Sequence, residues 1–157
     1  MPNVTVTAEP GSHEIIMTRV FDAPRELVFK VMTDPQHLAK WWGPRQYTTV
    51  VDKMDVKPGG LWRYVQRGAD GSEFGFHGVY HSIIAPERVV DTFEFEGMPG
   101  HVLMETSIFE ALPDGKTKLT VSSVFQSVAD RDGMLQSGME FGTNESYERF
   151  DELLATL

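Results

Sequence analysis

The spacing of apolar residues changes twice along this chain, and each change marks a change of element type. Residues 14–21 are mostly apolar and rich in β-formers, which predicts a strand. The segment FDAPRELVFKVMTD then places Leu27, Val28, Val31 and Met32 at helical spacing, one buried stripe of a helix. Pro24 suits its first helical position, Asp22 or Ala23 its cap, and Glu26 its first turn. Asp34-Pro35 breaks that helix. Pro35 opens a second, short one carrying Leu38, Trp41 and Trp42, and Gly43-Pro44 ends it.

From Tyr47 to Val124 the period becomes that of strands punctuated by turns. Six strands are predicted: Tyr47–Val56, Leu61–Arg67, Phe74–Ile84, Val89–Phe95, Val102–Leu112 and Lys116–Phe125. Pro58-Gly59-Gly60, Asp70-Gly71, Pro86, the run from Gly97 to Gly100, and Asp114-Gly115 supply the turns. Consecutive strands joined by short turns form an antiparallel meander. The period changes again near Asp132. From there to Thr156 there is no proline, and Met139, Phe150, Leu153 and Leu154 sit on or near one helical face. One helix of about 22–24 residues, roughly 35 Å long, is expected. The order β-α-α-β6-α makes this an α+β fold in which a bent antiparallel sheet wraps a long C-terminal helix.

Composition narrows the function classes. A length of 157 residues suits one domain, read here as 14–157, with 1–13 as an N-terminal extension that adds an edge strand through Val4 and Val6. Residues 1–13 lack the basic start and apolar core of a signal peptide. With no cysteine there is no disulfide, thiolate metal site or cysteine nucleophile, which fits a cytoplasmic location. A net charge of −9 repels phosphate backbones and anionic lipid heads, so neither nucleic acid nor membrane is an expected partner.

Several segments resemble a known family. FDAPRELVFKVMTDPQHLAKWWGP, KPGGLWRYV, the stretch from Asp70 to Val90, and the closing GMEFGTNESYERFDELLATL are similar to the START-like superfamily often called SRPBCC. Within it they look most like the bacterial-type branch named for the activator of heat-shock protein 90 ATPase. The resemblance covers about residues 14–157 and implies the helix-grip (START-like, Bet v 1-like) fold with a cavity between sheet and C-terminal helix. The fold hosts lipid carriers, polyketide cyclases, self-resistance proteins and co-chaperone domains. In the eukaryotic activator a separate N-terminal domain provides much of the chaperone contact, and only residues 1–13 precede the first strand here, so chaperone binding is not expected.

The residues carry their own signal. By the two-residue strand period Trp62, Tyr64 and Gln66 share one face, as do Phe74, Phe76, Gly78 and Tyr80, then Phe93 and Phe95, then Val102, Met104, Thr106 and Ile108. A wall of aromatic and methionine side chains with a few polar ends suits an apolar ligand; the same residues would equally fill a solid core. Gly138, Gly142 and Ser146 form a strip along the last helix, which either admits the sheet closely or leaves room for a ligand. Met134, Met139 and Phe141 would flank the entrance. Adjacent tryptophans on a helix point about 100° apart, so one of Trp41 and Trp42 packs inside and the other covers the rim or meets a partner. The expected lining is therefore Trp62, Tyr64, Phe76, Tyr80, Phe93, Met104, Met139, Phe141 and Gly142, with Trp42 at the rim.

Ionisable residues add little at this level. His77 and His81 lie about 13 Å apart on one strand face, too far for one metal. No metal-ligand spacing, nucleophile elbow or phosphate loop occurs, so no metal, cofactor or catalytic residue is assigned. Arg63, Glu73, Glu94 and Glu105 fall in strands and read as cross-strand surface pairs; a buried one with a shifted pKa would be the best acid–base candidate. The leading reading is non-catalytic binding of a small, largely apolar molecule. The alternatives are a co-chaperone-type interaction module with an exposed apolar patch near Trp41 or Trp42, and a polyketide cyclase-like enzyme, which needs polar residues converging inside the cavity. A meander leaves edge strands that need cover, and a homodimer would provide it.

Overall fold

A computed structural model describes residues 3–157 and runs through β1 (Thr5–Thr7), β2 (Glu14–Phe21), α1 (Arg25–Thr33), α2 (Pro35–Trp41), β3 (Tyr47–Met54), β4 (Leu61–Gly68), β5 (Glu73–Ile84), β6 (Arg88–Phe95), β7 (Val102–Ala111), β8 (Thr117–Phe125), α3 (Val128–Gln136) and α4 (Met139–Leu154). The eight strands form one antiparallel sheet in the order β1-β2-β8-β7-β6-β5-β4-β3. The meander β3 to β8 is continued by β2, which pairs with β8 from Glu14↔Val124 to Phe21↔Thr117. Short β1 and strand β3 are the two edges.

Alternation explains which face is covered. In β2 Ile15, Met17, Arg19 and Phe21 are buried, and in β8 Thr117, Leu119, Val121, Ser123 and Phe125 are buried, each set in steps of two. One face of the sheet therefore holds the core while the other meets solvent. Register shifts between Val51 and Lys53, and between Tyr80 and Ser82, mark bulges that bend the sheet. Asp34 caps α2 by accepting from the Gln36 amide, with Pro35 in the first turn. Pro24 is itself the cap residue of α1, so neither Asp22 nor Ala23 fills that place.

The core lies where α1, α2 and α4 meet the sheet. Phe21 and Phe150 are fully buried and 4.7 Å apart, with Trp41 4.9 Å from Phe150. Phe29 of α1 meets Phe109 of β7 at 5.2 Å. The buried Arg19 guanidinium binds Asp151 of α4 through its two terminal nitrogens at 2.9 and 2.6 Å and lies over the Phe21 ring, which ties α4 to β2.

The single long C-terminal helix expected from the sequence is two helices. The chain turns at Gly138, whose φ of +83° is the left-handed conformation that ends α3 and precedes α4. At 16 residues α4 is about 24 Å long, shorter than expected. Consequently Gly138 belongs to the break, and the small-residue strip on α4 reduces to Gly142 and Ser146. Among the described residues no helix is long and apolar enough to cross a membrane.

Candidate functional site

Strands β4 to β7 and helix α4 enclose a chamber of about 360 Å³. Its walls follow from strand parity. Trp62, Tyr64 and Gln66 of β4 point inward; Phe76 and Tyr80 of β5 lie beside them; Val89, Asp91 and Phe93 of β6 and Glu105 and Ser107 of β7 continue the wall. Gly142, Thr143, Ser146 and Tyr147 of α4 form the lid. Trp62 sits 4.5 Å from Tyr64 and 5.9 Å from Phe93, and Trp42 meets Tyr64 and Phe76 edge-on at 5.1 and 5.2 Å. Gly78 makes this possible, because a Cβ there would lie 1.9 Å from the Thr92 carbonyl and 2.6 Å from Trp62 Nε1. A second hollow of about 520 Å³ adjoins the chamber, sharing Gln66, Phe76 and Phe93 with it and running between Phe74, Phe95 and Phe125 on the sheet side and Met134 of α3.

The inner wall of the chamber is polar. Asp91 and Glu105 are direct partners in the β6–β7 ladder, on the same inward face, with side chains about 5 Å apart at their Cβ atoms. Burial pushes both carboxyls above their ordinary range, and the neighbouring Glu105 charge raises Asp91 further. Ser123, opposite Glu105 across β7–β8, acts in the other direction on Glu105. The Trp62 indole N–H also favours an ionised Asp91, yet it closes no hydrogen bond and is left buried without a partner. Burial likewise raises the Tyr80 hydroxyl to about 12 and the Tyr64 hydroxyl well above its usual value. Among the described residues no Lys, Arg or His lines the chamber.

Helix α2 ends at Trp41, and this decides the two tryptophans. Trp41 packs in the core with its Nε1 donating to the Val31 carbonyl at 3.2 Å. Trp42 is the cap residue with extended backbone, so its divergence from Trp41 comes from the helix end and not from helical rotation. The turn that follows is pinned to α4: the Gly43 amide donates to Ser146 Oγ at 2.9 Å, and Arg149 donates to the Gly43 carbonyl at 2.9 Å.

Of the residues expected to line a cavity, Trp42, Trp62, Tyr64, Phe76, Tyr80, Phe93, Met139 and Gly142 are brought together around the chamber. Met104 and Phe141 are not. Met104 is 45% exposed, because the inward face of β7 is Leu103, Glu105, Ser107 and Phe109, the opposite parity to the one expected. Phe141 is 70% exposed on the outer side of α4. Met134 lines the second hollow. Arg63 and Glu73 do form surface pairs, with Glu96 and Arg67 respectively, and Glu94 faces His77 at 3.4 Å. Glu105 departs from that pattern by pointing inward. Asp91 was not singled out from sequence, although it shares the two-residue period with Phe93 and Phe95. Among the described residues no group of three or more metal-ligating side chains gathers.

A bent antiparallel sheet closed over a hollow by its C-terminal helix defines the START-like, helix-grip class. Within it, the chain belongs to the family described as activator of Hsp90 ATPase homolog 1-like proteins, whose model matches residues 22–155. A protein from Rhodobacter sphaeroides has the same fold at a TM-score of 0.90 and 24% identity, covering 99% of both chains. One from Arthrobacter aurescens follows at 0.87 and 26%, covering 98% of this chain and 92% of that one. The AHSA1 protein of Silicibacter pomeroyi matches at 0.75 and 21%, over 91% of this chain and 98% of its own. No curated protein matches the sequence.

Proposed function

We propose that this protein binds a small, largely apolar molecule in the chamber between β4–β7 and α4. One observation carries the reading: the space is bounded by Trp42, Trp62, Tyr64, Phe76 and Phe93 and is not filled by the protein's own side chains. Ring walls give affinity by burying apolar area, and the few polar groups at the inner end fix orientation. Cytoplasmic placement and homodimerisation through the edge strands belong to the same proposal.

The test is a thermal-shift screen of small aromatic and aliphatic compounds, repeated on Gly142→Leu. A Cβ at Gly142 meets nothing within 4 Å, so a leucine there projects into open space beside the chamber and leaves the fold intact. Compounds that stabilise the wild type and not the variant support the reading. Compounds that stabilise both equally, or none that stabilises the wild type, refute it.

A second reading, an acid–base enzyme, is favoured by the inward carboxyl pair beside Tyr64 and Tyr80. Groups poised to hold or release a proton near neutrality suit general acid–base work. It requires turnover of a bound compound that Asp91→Asn abolishes while binding persists; unchanged turnover would remove it. The interaction-module alternative gains nothing from the tryptophans, since Trp41 is in the core and Trp42 lies against Tyr64 and Phe76.

A further inference from the structure

The inner end of the chamber has an unbalanced chemistry. Two carboxyl groups, Asp91 and Glu105, face one another there, and among the described residues no basic side chain lines the space. The Arg19 guanidinium is held by both carboxylate oxygens of Asp151 and by the Phe21 ring. A second, independent feature marks the same place as an incomplete site. Trp62 is 3% exposed, and its Nε1 is buried without an acceptor although Asp91 is beside it. The Asp91 carboxyl keeps an accepting oxygen in either protonation state, so a small movement of that carboxyl on ligand entry would supply the acceptor. What the site lacks is a positive charge that would let the carboxyls ionise.

Resting on the chamber as a binding site, we propose that its ligand is a lipophilic amine, with the ammonium group between Asp91 and Glu105 and the apolar body against Trp42, Trp62 and Phe93. The ring faces add to the attraction, because a cation is drawn to an aromatic quadrupole in a dry site. The net charge of −9 favours arrival of a cation. Proton balance follows. With burial holding both carboxyls above their ordinary range, the empty pair keeps a proton near neutral pH. Entry of the ammonium expels that proton to solvent, so binding strengthens with pH over the range in which the empty pair still holds it, levels off above, and weakens where the amine itself loses its charge. The other titratable groups facing the pair are Tyr64 on β4, Tyr80 on β5 and Tyr147 on α4, all raised by burial and neutral across this range.

The probes are three compounds with one skeleton: 2-naphthylethylamine, 2-naphthylethanol and 2-naphthylacetate. Calorimetric titrations in two buffers of different ionisation enthalpy give both affinity and protons released. The amine is expected to bind about tenfold or more tighter than the alcohol at pH 7, with proton release on binding of the amine only. The acetate should bind weakest. In the isosteric variant Asp91→Asn/Glu105→Gln the preference for amine over alcohol should vanish while the alcohol still binds. An alcohol that binds the wild type as tightly as the amine, or amine binding without proton release, overturns the proposal and leaves apolar binding standing. Preference for the amine that survives in the double variant also overturns it. If none of the three binds, this inference falls, while the chamber reading stands or falls on the wider compound screen. The wild-type head-group comparison decides the matter even where the double variant does not fold.

Discussion

Asp91 and Glu105 sit opposite each other in the β6–β7 ladder, and their environment penalises charge on both. In the unfolded chain such carboxyls ionise near about pH 4. In the fold they hold their protons to higher pH, so across the intervening range the folded state binds more protons than the unfolded one. Stability from this source is fully present at acid pH and is lost as pH rises through the raised values. Asp91→Asn removes the penalty. Relative to the wild type it should gain stability toward alkaline pH, by about 1.4 kcal/mol for each tenfold increase in proton affinity that folding imposes on the carboxyl, with little gain near pH 4. Denaturant melts across that range check the sign; a pH-independent difference would contradict it. The sequence half-disclosed this pair. Glu105 is one of four charged strand residues, but VLMETSIFEA has apolar side chains at both parities, and the strand period read from sequence turns Met104 inward and Glu105 outward, the reverse of the structure. Only the β6–β7 register and the packing of Leu103 and Phe109 settle it.

Element boundaries were read best where turn chemistry is explicit. Asp70-Gly71 and Asp114-Gly115 close hairpins, and Asp34-Pro35 separates α1 from α2. The α3–α4 break was missed because Gly138 sits in a proline-free stretch, where it reads as a weak interior glycine; Ser137-Gly138 as a helix stop was the available signal. Helix α4 also yields two stability predictions. Gly142→Leu exchanges an interior glycine for a better helix former and should stabilise the protein by up to about 1 kcal/mol while closing the chamber to ligand. A destabilised variant would show that the space is not free. Asp151→Ala leaves the buried Arg19 charge without its partner and should cost about 3 kcal/mol in denaturant unfolding. A loss below about 1 kcal/mol would mean that the pair does not hold α4 against β2.

At the scale of the molecule, the order of elements and the antiparallel meander were legible because each local pattern agreed with the global one. The same architecture recurs over 99% of the Rhodobacter sphaeroides chain at 24% identity, so many sequences reach it. The chemistry of the interior was less legible, since it depends on register and on which strand face turns inward. A ligand held in the chamber stabilises the folded state by mass action. At 100 times its dissociation constant it should add about 2.7 kcal/mol, a rise in Tm of roughly 5–10 °C for a chain of this size.

The three tryptophans report most directly on whether the chamber is where that molecule sits. In a two-dimensional proton–nitrogen NMR titration with a compound that stabilises the protein, three indole signals are followed together. The Trp62 signal should move most and the Trp42 signal next, while that of Trp41, whose Nε1 is bonded to the Val31 carbonyl, should move least. Binding that leaves the Trp62 signal in place would put the ligand elsewhere on the protein and contradict the account.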